Sequence, residues 1–116
     1  MATASSSVSD MLVTVKSREV QRGLLAEMRG ERGPALRHFL AAAHLELVPA
    51  ADYDEAADPD LAFRSRLSAA SCFWRGGQDQ LAQNLMEQLA QTHPEHSTLI
   101  HKVLDDLVKN VTVPNP

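Results

Sequence analysis

The stretch WRGGQDQLAQNLMEQLAQTHPEH, Trp74 to His96, sets a Gly-Gly pair, an amphipathic run and a His-Pro close one after another. Glycine is the residue that most readily adopts the left-handed conformation found at helix ends, so Gly76-Gly77 stops one helix. Leu81, Leu85, Met86 and Leu89 then recur at helical spacing and define a second, from about Gln78 to Thr92. Pro94 opens a third, because a first helical turn needs no proline N–H. The unit is helix, tight turn, helix, proline.

Working outward, Asp58-Pro59 signals a helix start, and Leu61, Phe63, Leu67, Ala70, Phe73 and Trp74 carry that helix to Arg75. After Pro94, the series Leu99, Ile100, Val103, Leu104, Leu107 and Val108 is the cleanest apolar stripe in the chain. Toward the N-terminus, a helix capped by Ser9 or Asp10 runs to about Arg29, although Lys16 to Glu19 interrupt its stripe and suggest two pieces. GERG breaks the chain, and a helix from Pro34 to about Val48 follows. Pro49 is expected to end it, leaving AADYDEAAD, residues 50–58, as an acidic loop. The opening nine residues are small and polar and read as disordered, and the tail 112–116 as irregular.

Sliding the chain against itself by 47 residues superposes the same roles. Gly30 falls on Gly77, Gly23 on Ala70, Ala35 on Ala82 and Phe39 on Met86. Small side chains near a turn let two antiparallel helices approach closely, and large ones fill the space beyond. This arrangement resembles the tetratricopeptide repeat, a helix–turn–helix unit of 34 residues. The resemblance covers about Ser17 to Pro94. It departs from the family pattern at Glu19, Arg22, Arg66 and Ala69, which stand where the family's opening tryptophan and leucine would be. It implies an all-α fold of antiparallel hairpins stacked as a short right-handed array of about five helices. Repeat 1 would span about 16–49, repeat 2 about 59–94 and a capping helix 94–110, all in one domain over 10–111. Two such units bury a core only by stacking, so a cap is needed.

The totals agree with one globular domain. The chain has 116 residues, 44% hydrophobic and only 4% aromatic, with alanine and leucine supplying the apolar bulk, a mixture that favours helices. The formal charge is -4, and no Lys/Arg block is long enough to track a phosphate backbone, so nucleic acid is not an expected partner. No apolar run approaches the ~20 residues of a membrane span, and no secretory signal is visible. A single cysteine, Cys72, fits a buried reduced thiol in the cytoplasm.

The resemblance also implies a site. In the family the first helix of each pair lines a groove for an extended peptide or a helix. Carried over, that face comprises Val20, Leu24, Glu27 and Met28 in the first copy, with Ser17 beside them. In the second it comprises Arg64, Leu67, Ser71, Trp74 and Arg75. Val20 and Leu24 occupy the places where the chaperone-binding members carry a lysine and an asparagine, so capture of an acidic chaperone tail is not expected. An apolar groove with an arginine rim suits an amphipathic helix or hydrophobic peptide. The alternative is that Val20, Leu24 and Trp74 are core.

Other chemistry has weaker support. His93, Glu95, His96 and His101 cluster, but His96 and His101 are five positions apart, a poor match to the three- or four-residue spacing that puts ligands on one helical face. Asp52, Asp54, Glu55, Asp58 and Asp60 lack the glycine and twelfth-position glutamate of a calcium loop. No phosphate loop or nucleophile elbow occurs. The expectation is a binding protein with no cofactor, not an enzyme: an adaptor or scaffold for another protein. A self-assembling homo-oligomeric element and a metal-responsive regulator are the alternatives.

Overall fold

The protein, described here over residues 3–112 in a computed structural model, is all-α. Five helices follow in chain order: α1 (Thr3–Met28), α2 (Arg32–Glu55), α3 (Pro59–Arg75), α4 (Asp79–Thr92) and α5 (Ser97–Thr112), the last preceded by a 3-10 turn at Pro94–His96. Each of the first four packs on the next, and α5 closes over α3 and α4. Gly23 lies against Phe39 while Lys16 reaches Glu46, so α1 and α2 are antiparallel. Gly76 lies against Leu40 while Arg66 binds Asp54, so α2 and α3 are antiparallel too. The result is a stacked array with extents of 53 × 31 × 17 Å. Its radius of gyration, 14.9 Å, exceeds the roughly 13 Å of a rounded domain of this length, as expected of a slab.

The turns explain why the sequence echo exists. Gly30 N–H donates to the Glu27 carbonyl and Glu31 N–H to that of Ala26, at 3.0 and 2.8 Å. Forty-seven residues on, Gly77 donates to Trp74 and Gln78 to Phe73 at the same two distances. Both are Schellman closures, which satisfy the last helical carbonyls and need one residue at positive φ. Gly30 (φ 73) and Gly77 (φ 83) supply it. The α2–α3 turn repeats the pattern with Ala57 to Asp54 and Asp58 to Tyr53, but here an alanine holds φ 56. Asp58 also caps α3, its carboxylate accepting from the Leu61 N–H at 3.2 Å.

Several boundaries differ from the sequence reading. Residues from Thr3 onward belong to α1, which is one unbroken helix where disorder and a break near Lys16–Glu19 were expected. Of the expected disordered segment, residues 1–2 lie outside the described residues, as do 113–116 of the expected tail. Residues 50–55 are helix and not loop, because Pro49 does not end α2. An internal proline costs about 3 kcal/mol through its missing N–H and its clash with the carbonyl four back. Here Pro49 and Ala50 are buried, and the helix end is held beyond them by a two-pronged Arg66–Asp54 pair. Tertiary contact offsets the local defect. At 24 residues α2 outruns α4 by ten, which accounts for most of the excess of the 47-residue offset over the family period.

The core lies between α2, α3, α4 and α5. Ala42, Ala43, Ala69, Ala70 and Ala82 are at 0% exposure, and their small size lets the helices close up. Phe63, Phe73, Trp74, Met86, Leu89, Ile100 and Leu107 fill the space beyond. Such tight seams leave no room for larger side chains.

Candidate functional site

A cleft of about 230 Å³ opens between α1 and α3, with α2 as its floor. Val13 and Lys16 form the α1 wall, Leu61, Arg64, Ser65 and Ser68 the α3 wall, and Glu46, Pro49 and Tyr53 the floor. The helical repeat puts Arg64, Ser68, Ser71 and Arg75 on one stripe of α3, and Val13, Val20 and Leu24 on one stripe of α1. The groove is therefore mixed: Val13 stands beside the ion-paired Lys16 along α1, and hydroxyls and a guanidinium follow Leu61 along α3.

Its polar groups divide into paired and unpaired. Lys16 Nζ sits 3.0 Å from Glu46 Oε1, with 22% and 10% of the two side chains exposed, so this ion pair pins α1 to α2 at the edge of the cleft. The Arg75 guanidinium lies over the Phe39 ring, 5.2 Å from its centroid, and Ser71 donates to the Leu67 carbonyl at 3.1 Å. Arg64 is exposed and, among the described residues, has no carboxylate partner; the Ser65, Ser68 and Tyr53 hydroxyls likewise make no hydrogen bond there. Those four donors are free to serve an incoming chain.

The groove residues expected from the sequence are placed unevenly. Arg64 lines the cleft, and Arg75 and Ser71 continue its stripe. Leu24, Glu27 and Met28 are exposed on α1, and Val20 is half-buried against the core. Leu67 and Trp74 are not groove anchors. They lie one step round α3, at 8% and 7% exposure, in the same buried cluster as Met86, Leu89, Ile100 and Leu107. The stacking of α4 and α5 on that side of α3 is what claims them. Among the described residues the buried Trp74 indole Nε1 has no hydrogen-bond acceptor, which costs about 1–3 kcal/mol and fits a ring held by packing. Val13, Glu46, Pro49, Tyr53, Leu61, Ser65 and Ser68 escape a reading by repeat alignment, because the cleft lies toward the α1 N-terminus and the extended end of α2. Pro49 was the available signal, as a proline inside a longer helix.

Several other chemistry-bearing residues make structural contacts. The His96 ring stacks on Phe63 at 4.4 Å between centroids and His93 meets the same ring edge-on at 5.1 Å, joining the 3-10 turn to α3. Glu95 lies 3.6 Å from His93 and 3.8 Å from His96. Its own backbone N–H, then His93, hold its carboxyl below the usual value. Among the described residues no three His, Cys, Asp or Glu side chains converge as metal ligands do. Burial pushes the Cys72 thiol up to about 11, against the opposing pull of Lys16, so it is a thiol and not a nucleophilic thiolate near neutrality. His38 Nδ1 lies 2.6 Å from Glu19 Oε2, a second tie between α1 and α2.

No helix of the described residues is long and apolar enough to cross a membrane. No protein-family model, curated protein or solved structure matches the chain.

Proposed function

We propose that the protein is an interaction module, an adaptor or small scaffold of the tetratricopeptide-like kind, that takes an amphipathic helix or apolar peptide into the groove between α1 and α3. The observation carrying this reading is the cleft itself. Val13, Leu61 and Pro49 offer an apolar seat, while Arg64, Ser65, Ser68 and Tyr53 present hydrogen-bonding groups that the described chain leaves unused. Apolar seats with a few convergent polar groups are the usual form of a recognition site. The matched Schellman turns support the repeat reading, and the buried thiol suits a reducing, cytoplasmic setting. Catalysis is not part of the proposal; the protonated Cys72 offers no thiolate nucleophile near neutrality.

The test is a fluorescence-anisotropy titration with leucine-rich amphipathic helical peptides carrying a carboxylate edge. Leu61→Asp and Arg64→Ala lie on the surface and should each weaken binding at least about tenfold, roughly 1.4 kcal/mol, without loss of helicity. Trp74→Ala should instead lower stability by about 3–5 kcal/mol, as a core truncation. Affinities unchanged by both surface variants would reject the groove.

A further inference from the structure

The two ends of the array are built differently. The α5 end presents His101, Lys102, Asp105, Asp106 and Lys109 to solvent. Stacking another copy there would strip water from those charges, which argues against head-to-tail growth. The α1 end is richer in exposed apolar side chains, with Arg18, Arg22 and Arg29 exposed among them. Among the described residues, seven of the twelve exposed large hydrophobic side chains lie on α1, on several sides of the helix, and its helix-to-helix packing is with α2 alone. A helix apolar on that many sides is built for cover on more than one of them.

The side of α1 turned away from α2 has a register. Met11, Thr14, Arg18, Gln21, Leu25 and Met28 follow alternating spacings of three and four and are all exposed. They lie opposite Lys16 and Gly23, which meet Glu46 and Phe39 of α2. Positions spaced three and four apart lie along one side of a helix, the side a paired helix would use, and here Met11, Leu25 and Met28 make the ends of that side apolar. We propose that this seam is closed by the α1 of a second copy, antiparallel, about a two-fold axis between Arg18 and Gln21. Met11 then meets the other copy's Met28, Thr14 meets Leu25, and Arg18 meets Gln21, whose amide oxygen accepts from the guanidinium.

The chemistry selects this arrangement over its neighbours. A parallel pair would set Arg18 on its own copy, and like charges in register repel. A slide by one heptad would put Met11 on Gln21 and unpair the methionines. The proposed register sets methionine on methionine at both ends and separates the two Arg18 side chains by pairing each with a Gln21, the kind of central polar layer that fixes alignment. Val15 and Leu24, 41% and 38% exposed, flank the seam and gain cover as well. Full cover of Met11, Val15, Leu24, Leu25 and Met28 removes on the order of 500 Å² per copy, about 1,000 Å² in total, the size of a weak, concentration-dependent pair. Two-fold closure stops the assembly at two. Val13 faces the cleft and stays free, so the dimer neither needs nor blocks the groove.

Sedimentation equilibrium of the full chain tests the proposal. The wild-type chain should be dimeric at roughly 100 µM, whereas Leu25→Glu and Met28→Glu, each entering the seam twice, should weaken association at least about a hundredfold. Both side chains are exposed in the single chain, so its circular dichroism should not change. Orientation is read by oxidation: Met11→Cys mixed with Met28→Cys should give a mixed disulfide, and Met28→Cys alone none. In an antiparallel pair the two copies of position 28 lie about 25 Å apart, far beyond disulfide reach. A wild-type monomer at that concentration overturns the proposal and leaves the seam to a different protein. A dimer indifferent to both glutamates, or one cross-linked through Met28→Cys alone, overturns it equally.

Discussion

Gly23→Ala tests the seam between α1 and α2. A methyl group built on Gly23 would lie 2.8 Å from Phe39 Cε2 and 3.0 Å from Cδ2 and Cζ. Carbon atoms rest at about 3.5–4.0 Å, so the contact is short by roughly 0.7 Å on three atoms of one ring. The ring has no exit: Phe39 is 1% exposed and the Arg75 guanidinium covers it. Two effects therefore compete. Alanine in a helix interior is worth about 1 kcal/mol over glycine. Overpacking a closed seam costs about 1–3 kcal/mol, and a rigid, buried aromatic puts the cost toward the upper end. The net expectation is a loss of about 1–2 kcal/mol, or about 4–10 °C in Tm for a domain of this size. Urea melts followed by circular dichroism, at one protein concentration throughout, measure it. Phe39→Leu should relieve the clash, so the double variant should lose clearly less than the two single losses combined. If Gly23→Ala melts later than wild type by the full propensity gain, the helices are not pinched there and the packing argument fails.

Ala57→Gly should stabilise the chain by about 0.5–1 kcal/mol, because a left-handed alanine costs about 1–2 kcal/mol and glycine gives back part of that in unfolded-state entropy; a thermal melt later than wild type is the expected readout, and an earlier one contradicts the turn. Cys72 gives a pH signature with a definite sign. Its folded thiol titrates near 11 against an ordinary 9.0, so its contribution is complete below pH 9 and is lost as pH rises from 9 to 11. Wild type should therefore lose about 2–3 kcal/mol more than Cys72→Ala across that window in urea titrations, and parallel losses would mean the thiol is solvated.

Much of the architecture was legible along the chain. Apolar spacing marks α3, α4 and the heart of α5 because an amphipathic helix needs only local periodicity to declare itself. Gly30 and Gly77 mark their turns because a Schellman closure demands positive φ. The α2–α3 turn was harder to place, since Ala57 carries no such signal. Pro49 misled for a related reason: its local penalty is real, but the Arg66–Asp54 pair and the burial of Ala50 lie outside any sequence window. The candidate site was the least legible part. Leu67 and Trp74 share helical spacing with many a surface anchor, and only the stacking of α4 and α5 decides which flank of α3 is inside.

By itself, then, the sequence determined the helical class, the two glycine turns and the small-residue seams, since each follows from backbone conformation or side-chain size at a single position or a short spacing. The tertiary structure alone decided how far α2 runs, which side of α3 meets water and where a cleft opens, because each depends on contacts between residues far apart in the chain, whose energies outweigh local preference.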